Sequence, residues 1–218
     1  MNAHNLFDFK ELFARDIFTG LKYPWEVIPL IKDYIPKLVS TLPDDFEEID
    51  EWVWVGKGTV IEDTARIKGP AVIGYDCEIR HAAYLRENVI LGNQVVVGNS
   101  SELKNSILFN EVEVPHFNYV GDSVLGYKSH LGAGVILSNL KSSKDSIIIR
   151  DLDGSHYETG MRKLGALIGD QVEVGCNAVL NPGTVIGPET IIYPLTSVRG
   201  TIPSRSVVKG DGSIIPRK

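Results

Sequence analysis

The stretch VGKGTVIEDTARIKGPAVIGYDCEIRHAAYLRENVILGNQVVVGNSSEL, residues 55–103, decides the fold. An aliphatic residue returns at every sixth position: Val55, Ile61, Ile67, Ile73, Ile79, Leu85, Leu91, Val97 and Leu103. A helix repeats its buried side every 3.6 residues and a strand every second residue, so a period of six marks an internal repeat instead. After an interruption the same spacing resumes at Ile168, Val174, Leu180, Ile186, Ile192 and Val198. Such a chain winds as a triangular prism, with a short strand of about six residues on each face and a coil of about eighteen. The repeated aliphatic points into the shaft and stacks on its equivalent one coil away, burying surface that a single repeat has no means to bury. Glycine often follows it, at Gly56, Gly74, Gly92 and Gly98. That placement suits a corner where a Cβ would collide or where φ is positive.

This pattern resembles the hexapeptide-repeat family. The resemblance implies a mainly β chain, a left-handed parallel β-helix with a short N-terminal helical segment; the handedness comes from the resemblance and not from the spacing. The expected organisation is an N-terminal helical cap over 1–50, a β-helix over 51–205 interrupted by an inserted loop at 139–165, and a C-terminal tail over 206–218.

The chain has 218 residues and a formal net charge of -6, which disfavours a general polyanion-binding surface. Nucleic acid is not an expected partner. No apolar run is long enough to cross a bilayer, and MNAHNLFDFKELF at the start has acids where a signal peptide has a basic region. The expectation is a cytoplasmic protein without a membrane association. Cys77 and Cys176 are the only cysteines, which fits a reduced compartment and gives neither a disulfide framework nor a thiolate metal site.

Ahead of the repeats, Phe7, Leu12, Phe13 and Ile17 have the spacing of a short amphipathic helix that Gly20 ends. A second helical segment follows Pro24, with Pro29 and Pro36 dividing or kinking it, and Ser40 to Asp50 reads as a polar linker. These helices are expected against the first coil or over the open end of the shaft. Trp52 and Trp54 are expected to pack between cap and shaft.

The spacing shortens by one residue between Leu103 and Leu108 and again between Val120 and Leu125. Irregularities of register concentrate beside active sites. These two bracket Lys104, Asn105, His116, Asn118, Tyr119, Asp122 and His130. Residues 139–165 then leave the repeat altogether, and insertions in a solenoid map to one face, often the binding face.

VPHFNYVGDSVLG at 114–126, with Arg86, Lys104, LGAG at 131–134 and Asn139, resembles the acetyltransferase half of the bifunctional N-acetylglucosamine-1-phosphate uridyltransferase/glucosamine-1-phosphate acetyltransferases. The eighteen residues between Arg86 and Lys104 make one coil and set the two side by side; His116 lies twelve further on, and the three are expected to converge across a subunit boundary. The resemblance implies that Arg86 and Lys104 hold a sugar phosphate, that His116 is the general base, and that Tyr119 and Asn139 contact the substrate. It further implies acetyl-CoA as acyl donor along Ala133, Cys176 and Pro194, in a groove of a homotrimer. The chemistry agrees: two cations suit a phosphate dianion, and imidazole titrates near neutrality. Backbone N–H groups around Gly132, Ala133 or Gly175 are candidates for the developing oxyanion.

Three departures matter. His130 stands where the family has an asparagine, and is read as an altered sugar contact or a corner residue, with an extension of the base network as the other reading. Asp145 stands where it has a lysine, and NLKSSK replaces the usual turn. No LAAGxGTRM-like nucleotide loop occurs, so uridyltransferase activity is not expected. Two other readings stay open: a non-catalytic trimer that binds a sugar phosphate or sugar nucleotide, and a gamma-type carbonic anhydrase with His81, His116 and His130 as zinc ligands.

Overall fold

A computed structural model describes residues 2–217 and has the expected architecture, a left-handed β-solenoid with a short N-terminal helix. Three sheets form its faces. Face one carries Val53–Gly56, Ala71–Ile73, Val89–Leu91, Ser106–Leu108, Val124–Leu125, Ala166–Ile168, Thr184–Ile186 and Thr201–Ile202. Face two runs from Val60–Ile61 through Glu113–His116 and His130–Leu131 to Ser206–Val208, and face three from Arg66–Ile67 through Tyr84–Leu85, Glu102–Lys104 and Tyr119–Gly121 to Ser197–Val198. The shaft therefore continues past residue 205, and Ile214–Pro216 folds back antiparallel on Ser206–Val208.

Most of the repeated aliphatics fill the shaft: Ile73, Leu85, Leu91, Leu103, Val120 and Leu137 are fully buried, whereas Ile61 in the first coil is half-buried. Each fully buried one contributes about 1.5–3 kcal/mol of burial relative to exposure. The glycines after them serve close approach and not backbone freedom. Gly74 and Gly92 have ordinary φ, but a Cβ on Gly74 would sit 2.4 Å from the Gly92 carbonyl oxygen. Positive φ falls two residues later, on Asp76 and Gln94.

The shortened spacing is a tighter turn between faces three and one. In the regular coil, Arg86 and Glu87 precede the left-handed Asn88; in the next two, Lys104 leads directly to Asn105 (φ 47) and Gly121 to Asp122 (φ 49). Buried Ser106 and Ser123 support these turns, donating to the carbonyls of Lys104 and Gly121, both at 2.8 Å.

The segments outside the repeat depart from expectation. Residues 3–18 form three short 3-10 turns, Ala3–Asn5, Phe9–Glu11 and Arg15–Phe18, instead of one helix, because their backbone groups bond to the shaft. The Asp8 N–H donates to Asp170 Oδ2 at 2.7 Å, and Asn110 and Asp170 donate to the carbonyls of Glu11 and Leu6. Phe7 stacks on Phe109 at 5.1 Å. Pro24–Leu30 is a 3-10 segment that runs into the α-helix Ile31–Val39, and Phe46–Asp50 is an antiparallel strand on Val53–Gly56 rather than a linker. Trp54 is half-buried, whereas Trp52 turns outward at φ 58 and is 45% exposed, so it does not join cap to shaft.

This strap lies along face one over several coils and not only over the first coil or the open end. The outward residues of that face, Val72, Ile90, Ile107, Val124 and Leu167, are fully buried. The inserted segment joins it there: its hairpin, Ile148–Arg150 with His156–Glu158, accepts a hydrogen bond from Thr201 through the Arg150 carbonyl, and Tyr157 packs on Tyr23 and Trp25. Among the described residues, no strand of the strap or of the hairpin joins face two or face three. No described helix is long and apolar enough to cross a membrane.

Candidate functional site

Polar residues gather along two corners that border face three. On its far side, toward face one, register sets Leu85 beside Leu103, and Arg86 therefore beside Lys104. Arg86 Nη1 donates to Glu102 Oε1 at 3.1 Å, and that carboxylate holds the guanidinium's pKa above its ordinary value. Lys104 is half-buried and makes no ion pair among the described residues. Glu102 lies beside Tyr119, whose hydroxyl is pushed up by burial and by the nearby Glu102 and Asp122 carboxylates.

The shortened turns align the next residues. Asn105 Nδ2 donates to Asp122 Oδ1 at 2.8 Å, while Asn139 Nδ2 donates to Asp122 Oδ2 and, at 3.2 Å, to the Tyr119 hydroxyl. Asp122 is buried, so its charge rests on these two amides and on the turn. Gly121 makes room, since a Cβ there would lie 2.7 Å from both Asn139 Nδ2 and the Tyr119 hydroxyl. Arg86, Lys104, Tyr119 and Asn139 thus share one corner.

His116 lies at the other corner, between faces two and three. Buried Asn118 fixes it, accepting from the His116 N–H at 3.0 Å and donating to the Gly132 carbonyl at 2.8 Å. The Gly134 N–H donates to the His116 carbonyl, Asn177 to Ala133, and Leu195 to Cys176, so His116, Ala133, Cys176 and Pro194 follow one another coil by coil. The imidazole and the thiol are exposed. Within one chain, face three separates His116 from Arg86 and Lys104, so the three do not converge there.

The N–H groups of Gly132 and Gly175 are engaged by Val174 and Ile192 carbonyls, at 2.7 and 2.8 Å. Those of Ala133 and Cys176 have no acceptor among the described residues, which leaves them as donors along the second corner.

A family model described as the GMPPB C-terminal domain matches residues 67–153. The bifunctional protein GlmU of Methanococcus maripaludis is 34% identical over 205 residues, 92% of this chain and 49% of that protein. A bifunctional sugar-1-phosphate nucleotidylyltransferase/acetyltransferase of Sulfurisphaera tokodaii is 33% identical, over 69% of this chain and 41% of its own length. An uncharacterized acetyltransferase, YaiX, of Escherichia coli is 34% identical over 70% of this chain and 66% of its own length. The chain belongs to the hexapeptide-repeat acyltransferases. It spans about half the length of the GlmU proteins it matches.

In this hexapeptide-repeat acyltransferase His130 stands apart from the corner of Arg86 and Lys104. It is on face two, between Glu113 and Glu173, with Nδ1 3.0 Å from Glu173 Oε2. His81 occupies the His116 corner with Asn99 between them and has Nδ1 2.7 Å from Thr64 Oγ1. The three histidines do not meet within the chain, and no metal-binding cluster occurs among the described residues. Glu102 is the residue that sequence reasoning missed. Strand alternation carried the signal, because Glu102 and Lys104 flank inward Leu103 and share its outer side.

Proposed function

We propose that the protein is an acetyl-CoA-dependent N-acetyltransferase acting on an amino sugar 1-phosphate. The arrangement of two polar lines along the edges of one open face carries this reading: an open line with a histidine and small residues, and a polar cluster with two cations. The bifunctional sugar-1-phosphate nucleotidylyltransferase/acetyltransferase relative supports the same class of reaction.

In the proposed reaction the acceptor's phosphate rests on Arg86 and Lys104, and Tyr119 and Asn139 position the sugar. His116 takes a proton as the amine attacks the thioester carbonyl, the C–N bond forms, and the C–S bond breaks. The proton leaves on the thiolate of coenzyme A. The free N–H groups of Ala133 and Cys176 face the developing oxyanion and the pantetheine arm, and the small side chains at 133, 176 and 194 leave a groove for it. Because face three separates the two lines, the complete site needs the second line from a neighbouring copy, as in a homotrimer.

The test is thiol release from acetyl-CoA with a panel of amino sugar phosphates, alongside the mass of the protein in solution. Release with glucosamine 1-phosphate by a trimer supports the proposal; no release and no binding of either reactant by a monomer defeats it. The Arg86–Glu102 pair favours a second reading, a non-catalytic sugar-phosphate binder, since it neutralises one of the two cations. Binding without acyl transfer would favour that alternative.

A further inference from the structure

At the root of the inserted segment, on the corner between faces three and one, lies a cavity of about 320 Å³. Ser138, Lys141, Ser142, Ser143, Asn181 and Arg199 supply its polar lining, and no carboxylate lines it. In a chain of net charge -6 this is unusual. Several other cations of the shaft face acids: Arg80 pairs with Glu78, Arg86 with Glu102, Lys128 with Glu111 and Arg205 with Glu189.

Here both cations are held by neutral acceptors. Lys141 Nζ donates to the Ser146 carbonyl at 2.8 Å, and Arg199 Nη2 donates to Asn181 Oδ1 at 3.1 Å. Asn181 is itself fixed, its Nδ2 donating to Ser197 Oγ and to the Val198 carbonyl. An ammonium has three N–H donors and a guanidinium five, so most remain available, and the hydroxyls of Ser138, Ser142 and Ser143 have no partner among the described residues.

We propose that this cavity is an anion subsite for a phosphate ester group. Arginine and lysine with serine hydroxyls form the donor set that charge-assisted phosphate binding uses. Its position ties it to the acceptor corner. Leu103, Val120, Leu137, Leu180 and Val198 share one register, so Lys104, Ser138, Asn181 and Arg199 follow along a single outward line. Ser138 lies two coils from Lys104, about 10 Å at the ordinary strand spacing. A reactant phosphate at Lys104 and a second one in this cavity fit together without overlap. The second group belongs either to the acyl donor or to the acceptor's aglycone, and the inference deepens the acyltransferase reading without depending on turnover.

The experiment measures binding of inorganic pyrophosphate, coenzyme A, dephospho-coenzyme A, glucosamine 1-phosphate and UDP-glucosamine to the full chain, with K141A/R199A, the conservative K141R/R199K, and K32A on the distant helix. The expected result is at least a tenfold weaker pyrophosphate Kd in K141A/R199A, as loss of two charged donors implies. K32A should bind as the wild type does, and K141R/R199K should recover much of the loss. Weaker coenzyme A binding without weaker dephospho-coenzyme A binding assigns the donor's 3′-phosphate; weaker UDP-glucosamine binding with glucosamine 1-phosphate binding unchanged assigns a second phosphate of the acceptor. Equal pyrophosphate affinity in wild type and K141A/R199A, or no affinity in the wild type, overturns the subsite. Absence of acyl transfer with pyrophosphate binding intact would defeat only the catalytic reading.

Discussion

The two corners that border face three come from one repeat yet are finished in opposite ways. Toward face one, the turns are shortened and Asn105, Asp122, Asn139 and Tyr119 saturate one another with hydrogen bonds. Toward face two, Ala133, Cys176 and Pro194 form a bare line on which the Ala133 and Cys176 amides are open. A closed polar lattice fixes directions and discriminates, whereas a bare line accommodates a long flexible chain. On the proposed reading the first selects the acceptor and the second carries the donor.

The largest effect should come from His116→Ala. Loss of a general base lowers turnover by about 10²–10⁴-fold, with dissociation constants for both reactants held. Unchanged turnover would detach the second corner from chemistry. Next, Asp122→Ala leaves two amide donors unpaired in the lattice and should cost about 2–3 kcal/mol in urea unfolding. Cys176→Ser on the open line should stay within about 0.5 kcal/mol; comparable losses at both would erase the contrast.

A bulky side chain tests the open line from the other direction. Cys176→Phe should weaken acetyl-CoA binding about tenfold, near 1.4 kcal/mol, without lowering the unfolding midpoint. Smaller still is the response of the strap. Burial pushes the Asp170 carboxyl up to about 6, above the ordinary 3.8, with Asp8 and Glu11 adding to it. A raised acid gives stability that is fully present below the unfolded value and lost as pH rises through the folded one. Between pH 7 and pH 4 this group should therefore add about 1 kcal/mol, discounted for partial exposure, and Asp170→Asn should remove that increment. The smallest expected effect is at Glu102→Gln, which frees Arg86 and should tighten sugar-phosphate binding about two- to fivefold at low salt.

The sixfold spacing made the shaft legible because each inward aliphatic answers to one geometric demand. It also set Arg86 beside Lys104, since coil length converts directly into register. The separation of His116 from that pair was less legible: sequence distance gives coil and face, but which edge of a face a residue occupies depends on where each turn is shortened. Trp52 and residues 3–18 were misread for a related reason. The hydrogen-bond partners of residues 3–18, such as Asp170, belong to distant coils, and Trp52 is turned outward by its left-handed backbone; local periodicity carries no trace of either. Glu102 was legible and overlooked, whereas the partners of Asn139 needed the register across two shortened turns.

The strap also bears on the order in which the molecule assembles. Neighbouring coils bring together residues only about eighteen apart, so the shaft can wind up progressively as the chain is synthesised. The strap contacts Phe109 and Asn110, and Asp8 reaches Asp170 across 162 residues. Although it is translated ahead of every coil, it has no complete surface to dock on until the coil that carries Asp170 has been made. The earliest part of this chain is among the last to find its place, and until then the apolar outer side of face one is uncovered to solvent and to other chains.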